Sequence, residues 1–204
     1  MLRQVLGSIV VLTSPLSVGS LSRLLFTTKQ HVNQTLKSLH AILDIPKDKN
    51  RPLRLHHPSF RDFLLNNNRC KDPNFWVDEK QAHWTLASNS IRLMSMSLKQ
   101  DICGLNTPGL FVTDVDTNRI QDCIPLEVQY ACLYWIQHLQ KSNIQLCDND
   151  QVHQFLQVHL LHWFEALGWI GKVSEGIYAI SLLEKQIPVS VLYIIPSLSY
   201  LTVV

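Results

Sequence analysis

Residues 42–56 read Ile-Leu-Asp-Ile-Pro-Lys-Asp-Lys-Asn-Arg-Pro-Leu-Arg-Leu-His. The ends of this stretch, 42–45 and 53–56, each carry the pattern of a short strand. Its middle, Pro46-Lys47-Asp48-Lys49-Asn50-Arg51-Pro52, is turn chemistry, because proline fixes φ and Asp and Asn bond their own backbone. What lies on either side gives this strand–turn–strand its meaning. Upstream, Ser17 and Ser20 offer N-caps for a short helix carrying Leu21, Leu24 and Leu25. After Phe26-Thr27, a second helix is expected over about residues 28–40, with Val32, Leu36 and Leu39 as its apolar stripe. Lys29, Gln30, Asn33, Gln34 and Lys37 occupy its other faces. Two short helices joined by a tight turn make a helix-turn-helix, and a hairpin after it gives the layout of a winged helix. Downstream, Ser59 is the expected cap of a helix carrying Phe60, Phe63, Leu64 and Leu65, which ends at Asn66-Asn67-Asn68.

Residues 2–12 predict a further helix, with Leu2, Val5, Leu6, Ile9 and Val10 on one stripe and Pro15 as its stop. From residue 75 onward the periodicity is helical. Trp84, Ala87, Ile91, Met94 and Leu98 form one continuous apolar stripe. Residues 104–118, with Thr107-Pro108-Gly109, are expected to be a loop, and Asp122 or its neighbours to cap a helix opened by Pro125. That helix carries Val128, Cys132, Trp135 and Leu139. Asp148 to Asp150 opens another, with Val152, Phe155, Leu156, Trp163, Leu167 and Ile170; it is apolar almost all round beyond Val158, the mark of a helix central to a bundle. Gly171 ends it, and a shorter helix follows over about 173–185. The predicted fold is mainly α. A winged helix-turn-helix with a small β-hairpin fills residues 1–70, an α-helical bundle or superhelical domain residues 71–186, and an atypical hydrophobic tail residues 187–204. That tail contains Pro188 and Pro196 and is shorter than the ~20 apolar residues of a membrane span.

A chain of 204 residues, 46% hydrophobic and 17% charged, excludes a disordered or collagen-like protein. The charged fraction lies below the ~25% of an ordinary soluble domain, as in a piece whose surface is covered by something else. The net charge of +2 conceals an asymmetry: residues 1–71 carry +8 and residues 72–204 carry −6. Cys70, Cys103, Cys123, Cys132 and Cys147 are odd in number and never spaced C-x-x-C, which points to free thiols in a reducing, cytoplasmic setting rather than to zinc or a disulfide framework. The apolar N-terminus is broken by Gly7 and Ser8 and lacks a cleavage pattern, so no secretory signal is expected.

No phosphate-cradling loop, dinucleotide fingerprint, nucleophile elbow or H-E-x-x-H occurs, and seven glycines leave little material for one. No catalytic residue and no enzymatic activity are expected of this chain alone. His153, His159 and His162 share one predicted helix, where only the pair three apart shares a face; without a carboxylate or cysteine at ligand spacing, no metal is expected. Trp84, Trp135 and Trp163 fall on helix stripes and read as core. Lys29 and Lys37 on the second helix, with Arg51 and Arg54 on the hairpin, are the residues a DNA-binding winged helix would use on phosphates and base edges. That helix has no arginine, the commonest reader of a base, so a protein-facing role stands ahead of a DNA-binding transcriptional regulator.

Several motifs occur in order along the chain. They are Leu-Gly-Ser-Ile-Val-Val-Leu (6–12), Pro-Leu-Ser (15–17), Leu-Ser-Arg-Leu-Leu (21–25), Leu-Arg-Leu-His-His-Pro-Ser-Phe-Arg-Asp-Phe-Leu-Leu (53–65) and Phe-Trp-Val-Asp-Glu-Lys (75–80). Leu-Lys-Gln-Asp-Ile-Cys-Gly-Leu (98–105), Gln-Tyr-Ala-Cys-Leu-Tyr-Trp (129–135) and His-Trp-Phe-Glu-Ala-Leu (162–167) complete the set. Over residues 2–186 the chain resembles the segment after the nucleotide-binding core in fungal NACHT-type STAND ATPases, the vegetative-incompatibility and NOD-like receptor group. The resemblance implies a winged helix that latches onto a NACHT nucleotide-binding domain in the ADP state and swings away when ATP drives oligomerisation. Sensor repeats, often of the WD type, follow the helical segment in such receptors. The resemblance further implies that His57 senses the bound diphosphate, with His56 beside it as the other candidate. A neutral or cationic imidazole donating to a phosphate oxygen suits such a switch; the plain alternative is a packing histidine at a strand end. The ATPase motifs lie outside this chain, so no cofactor is expected on it alone, ADP and ATP belonging to the complete receptor. A membrane partner is not expected. The last 18 residues match nothing in the group and are expected to mark a truncated or mis-spliced product, or a fragment.

Overall fold

The computed structural model describes residues 2–184 apart from residues 38, 47, 49, 107 and 108. The expectations for the tail over 187–204 lie outside the described residues. The chain is mainly helical with a small two-stranded antiparallel sheet.

Helix α1 (Leu2–Val11) buries Val5, Leu6, Ile9 and Val10. Gly7 lets it approach the following half of the chain closely, since a Cβ there would stand 3.3 Å from Val77 Cγ1. Helix α2 (Val18–Leu24) starts at Ser17, whose hydroxyl accepts the Ser20 amide proton at 3.2 Å. Helix α3 (Lys29–Lys37) buries Val32 and Leu36. The turn between α2 and α3 holds Phe26 at φ 50°, with the Arg92 guanidinium 4.0 Å from the centre of its ring. Strands β1 (Leu43–Asp44) and β2 (Arg54–Leu55) pair with Leu43 opposite Leu55 and Asp44 opposite Arg54. Helix α4 (Pro58–Leu65) follows directly.

One boundary differs from the sequence reading here. The cap of α4 is His57, not Ser59, because Pro58 takes a position in the first turn where its missing N–H costs nothing.

In the second half, α5 (Glu79–Ser97) is capped by Asp78 and α7 (Leu126–Ser142) begins after Pro125. Between them, the loop expected over 104–118 holds a 3-10 turn at Val112–Asp114, and helix α6 (Thr117–Cys123), capped by Asp116, begins at its end. Asp122 therefore lies inside a helix rather than at the head of one. Helix α8 (Gln151–Trp169) is capped by Asp150, and α9 (Val173–Glu184) follows Gly171 at φ 67°. The central pair is α5 against α7, not α8. Val158 and Leu161 on α8 are 63% and 75% exposed. An all-round apolar run states that a helix can be buried; which faces are covered depends on where its neighbours lie.

The buried side chains form two clusters that share α5 and α7. One gathers Leu6, Leu21, Leu24, Leu36, Leu43 and Leu64 with Val77, Ala82, Leu86 and Tyr130. The other gathers Ala87, Ile91 and Met94 with Val128, Trp135, Phe155, Trp163 and Ile180. Trp135 and Trp163 meet edge to face at 5.6 Å, and the Trp163 indole donates to the Cys132 carbonyl at 3.0 Å. All five cysteines are free thiols. No helix among the described residues is long and apolar enough to cross a membrane.

Candidate functional site

The short strand β2 delivers the chain to His56 and His57, both exposed. The His56 amide donates to the Ile42 carbonyl at 3.0 Å, tying it to the strand before the turn. His57 is extended (φ −142°, ψ 137°), and its Nδ1 accepts the Ser59 amide proton at 3.1 Å with the Ser59 hydroxyl at 2.7 Å. A backbone N–H can only donate, so Nδ1 is bare and the neutral ring carries its proton on Nε2. The free corner of His57 is thus a donor, standing at the positive end of α4, whose first turn has no acidic residue. Sequence reasoning named His57 but not the cap that sets its tautomer.

Lys29, Lys37, Arg51 and Arg54 are all exposed. Of the four, Lys37 lines a groove of about 650 Å³ between α3 and the hairpin, together with Gln30, Asn33, Gln34, His40 and Ile45. Lys29 instead lies over Gly19, near the start of α2.

Of the histidines of α8, His153 stands apart from the neighbouring pair His159 and His162. His153 Nδ1 accepts the Asn149 amide proton at 2.7 Å, His159 stacks on Phe155 at 5.7 Å, and the His159 and His162 Nδ1 atoms are 3.4 Å apart. Among the described residues, no group of three or more His, Cys, Asp or Glu is placed to hold a metal ion.

Two polar arrangements escaped the sequence reading. Glu127 in the first turn of α7 is 2% exposed and takes a bidentate pair from Arg23 of α2, with Nη2 to Oε2 at 3.0 Å. Elsewhere on the same helix pair, His83 of α5 and His138 of α7 are fully buried and face each other, Nδ1 to Nδ1, at 2.7 Å. His138 Nε2 is 2.7 Å from the Tyr130 hydroxyl, which accepts the Thr13 amide proton at 3.2 Å. Burial holds His83 down to about 4, with smaller contributions from Lys141 and Arg61, and His138 to about 3, with smaller contributions from His83 and Lys141; it also pushes the Tyr130 phenol up. No sequence signal could pair these side chains, since His83 and His138 are 55 positions apart.

No family model matches the chain, and no solved structure matches it. Among curated proteins, vegetative incompatibility protein HET-E-1 of Podospora anserina is 30% identical over 206 residues. That alignment covers 90% of this chain but 15% of the relative, so the chain spans a small part of the protein it resembles.

Proposed function

We propose that the chain is a non-catalytic regulatory segment of a NACHT-type STAND signalling receptor, acting in vegetative-incompatibility or innate-immunity-like signalling. The observation that carries this reading is the extent of the likeness: nine-tenths of this chain aligns within a vegetative incompatibility protein several times its length. In this reading residues 1–70 form a winged helix, with α2 and α3 as its helix-turn-helix and β1–β2 as its wing. This part docks on the receptor's nucleotide-binding domain, and residues 71–186 relay the state of the sensor repeats. The complete receptor, in the cytoplasm, binds ADP or ATP and oligomerises.

His57 supplies the contact with nucleotide. Its cap on α4 directs an Nε2–H outward at the positive end of a helix, which suits a diphosphate oxygen. The experiment is ADP affinity in a receptor carrying its nucleotide-binding domain ahead of this segment. His57→Ala is expected to weaken ADP about tenfold or more, the worth of a hydrogen bond to a charged group. His56→Ala is the control. Equal affinity for ADP with and without His57 removes the sensing role.

Docking on protein accounts for more of the surface than DNA reading does. The outer face of α3 offers Lys29, Gln30, His31, Asn33, Gln34 and Lys37 but no arginine for bidentate contact with guanine.

A further inference from the structure

The latch makes no use of the buried line Thr13–Tyr130–His138–His83, and the direction of its protons can be worked out. The Thr13 amide can only donate, so the Tyr130 oxygen accepts from it and keeps its own proton to give to His138 Nε2. His138 then carries its proton on Nδ1 and donates to His83 Nδ1. His83 in turn holds its proton on Nε2, which has no hydrogen-bond partner among the described residues and lies 3.9 Å from Glu79 Oε1. The reverse direction would strand the Tyr130 proton and aim a bare nitrogen at a carboxylate. The line is therefore polarised one way, from a backbone amide to the rim of α5, and each ring supplies one donor and one acceptor.

Its position matters as much as its direction. Thr13 lies just beyond α1, and its hydroxyl also donates to Gln137 of α7 at 3.2 Å. Tyr130 belongs to the apolar cluster built on α1 to α4, whereas its α7 neighbours Ala131 and Cys132 belong to the other. The line thus fastens the segment after α1 to the α5–α7 pair, along the boundary of the two clusters. The charged and titratable groups around it are Glu79 on α5, Arg61 on α4, and Lys141 and Tyr134 on α7.

We propose that this line is a proton-linked fastener: it closes the seam while both imidazoles are neutral, and opening the seam takes up protons on His83 and His138. The contact at 2.7 Å requires one bare Nδ1; protonating His83 puts a donor against a donor there, and protonating His138 on Nε2 puts a donor against the Tyr130 hydroxyl proton, so either event breaks the line at one joint. Rings released into water return to an ordinary histidine pKa of about 6.5, so acid favours the open seam. Between about pH 7 and pH 5.5 the open population rises roughly 70-fold if both rings are released, and about 8-fold if one is.

Amide hydrogen exchange of the full chain, corrected for the intrinsic effect of pH, tests this. Protection of the Thr13 amide is expected to fall by one of those factors between pH 7 and pH 5.5. In His83→Gln/His138→Gln the same comparison is expected to be flat. Tyr130→Phe, which spares both histidines, is expected to strip Thr13 of protection at pH 7. Ring 15N shifts in the unmutated chain are expected to show the proton on His138 Nδ1 and His83 Nε2. Thr13 protection that is unchanged at pH 5.5, that falls equally in the double variant, or that survives in Tyr130→Phe would overturn the proposal, as would the opposite tautomers.

Discussion

Glu127 shows how much one carboxylate can oblige a fold to do. At 2% exposure a carboxylate needs a hydrogen-bonding partner, and Arg23, reaching from α2 across 104 positions of sequence, supplies two hydrogen bonds. Removing the cation strands the anion. Arg23→Met is expected to lower stability by about 2–3 kcal/mol, below the cost for a fully buried pair because the Arg23 side chain is 52% exposed. Glu127→Gln, which keeps an acceptor and sheds the charge, is expected to cost about 1 kcal/mol. Urea midpoints at constant slope measure both, and equal losses would show that the pair matters by shape rather than by charge. His57 carries the same lesson on a smaller scale. Its identity was legible in the motif at 53–65, but its tautomer came from Ser59, two positions on.

The helices were legible wherever a cap and a stripe coincided. Ser17 and Asp150 stand one position before α2 and α8, and the stripe from Ala87 to Met94 is the buried face of α5. The reading missed α6 because its single buried side chain, Ile120, gives no periodicity, and Gly104 and Gly109 at positive φ speak for a loop. It also misplaced the centre of the helical half. The sequence of α8 is more apolar than its setting, and the difference can be measured. Trp163→Ala, which empties a site of no exposure beneath Trp135, is expected to cost about 3–5 kcal/mol. Leu161→Gln on the same helix is expected to stay within about 0.5 kcal/mol, since the side chain is 75% exposed. Comparable losses at both positions would return α8 to the centre.

Across the chain, acid should act first through the buried pair. His83 and His138 are held below the ordinary histidine value, so the unfolded chain takes up protons before the native one does. Stability from this source is full above about pH 6.5. It declines as pH falls, by up to about 1.4 kcal/mol per unit for each ring, until the native values of about 4 and about 3 are reached. Denaturant unfolding is expected to lose roughly 4 kcal/mol between about pH 7 and pH 5, and His83→Gln/His138→Gln to lose far less. An equal decline in the variant would place the titration elsewhere. The charge asymmetry reads more sharply in this setting. The basic half presents Lys29, Lys37, Arg51 and Arg54 to solvent, while its Arg23 pairs with Glu127 of the acidic half. Some of the positive charge therefore joins the two halves, through Arg23 to Glu127, Arg61 to Glu79 and Arg3 over Trp76.

Periodicity, caps and turn residues were enough to place most helices, the hairpin and the positions of His56 and His57, because these depend on neighbours within a few residues in the chain. Which polar groups are buried, and with whom, depended on chain segments 55 and 104 positions apart meeting at the α5–α7 pair. Spacing carries no trace of such meetings. Burial then decided the chemistry, since desolvation, rather than residue type, keeps His83 and His138 neutral.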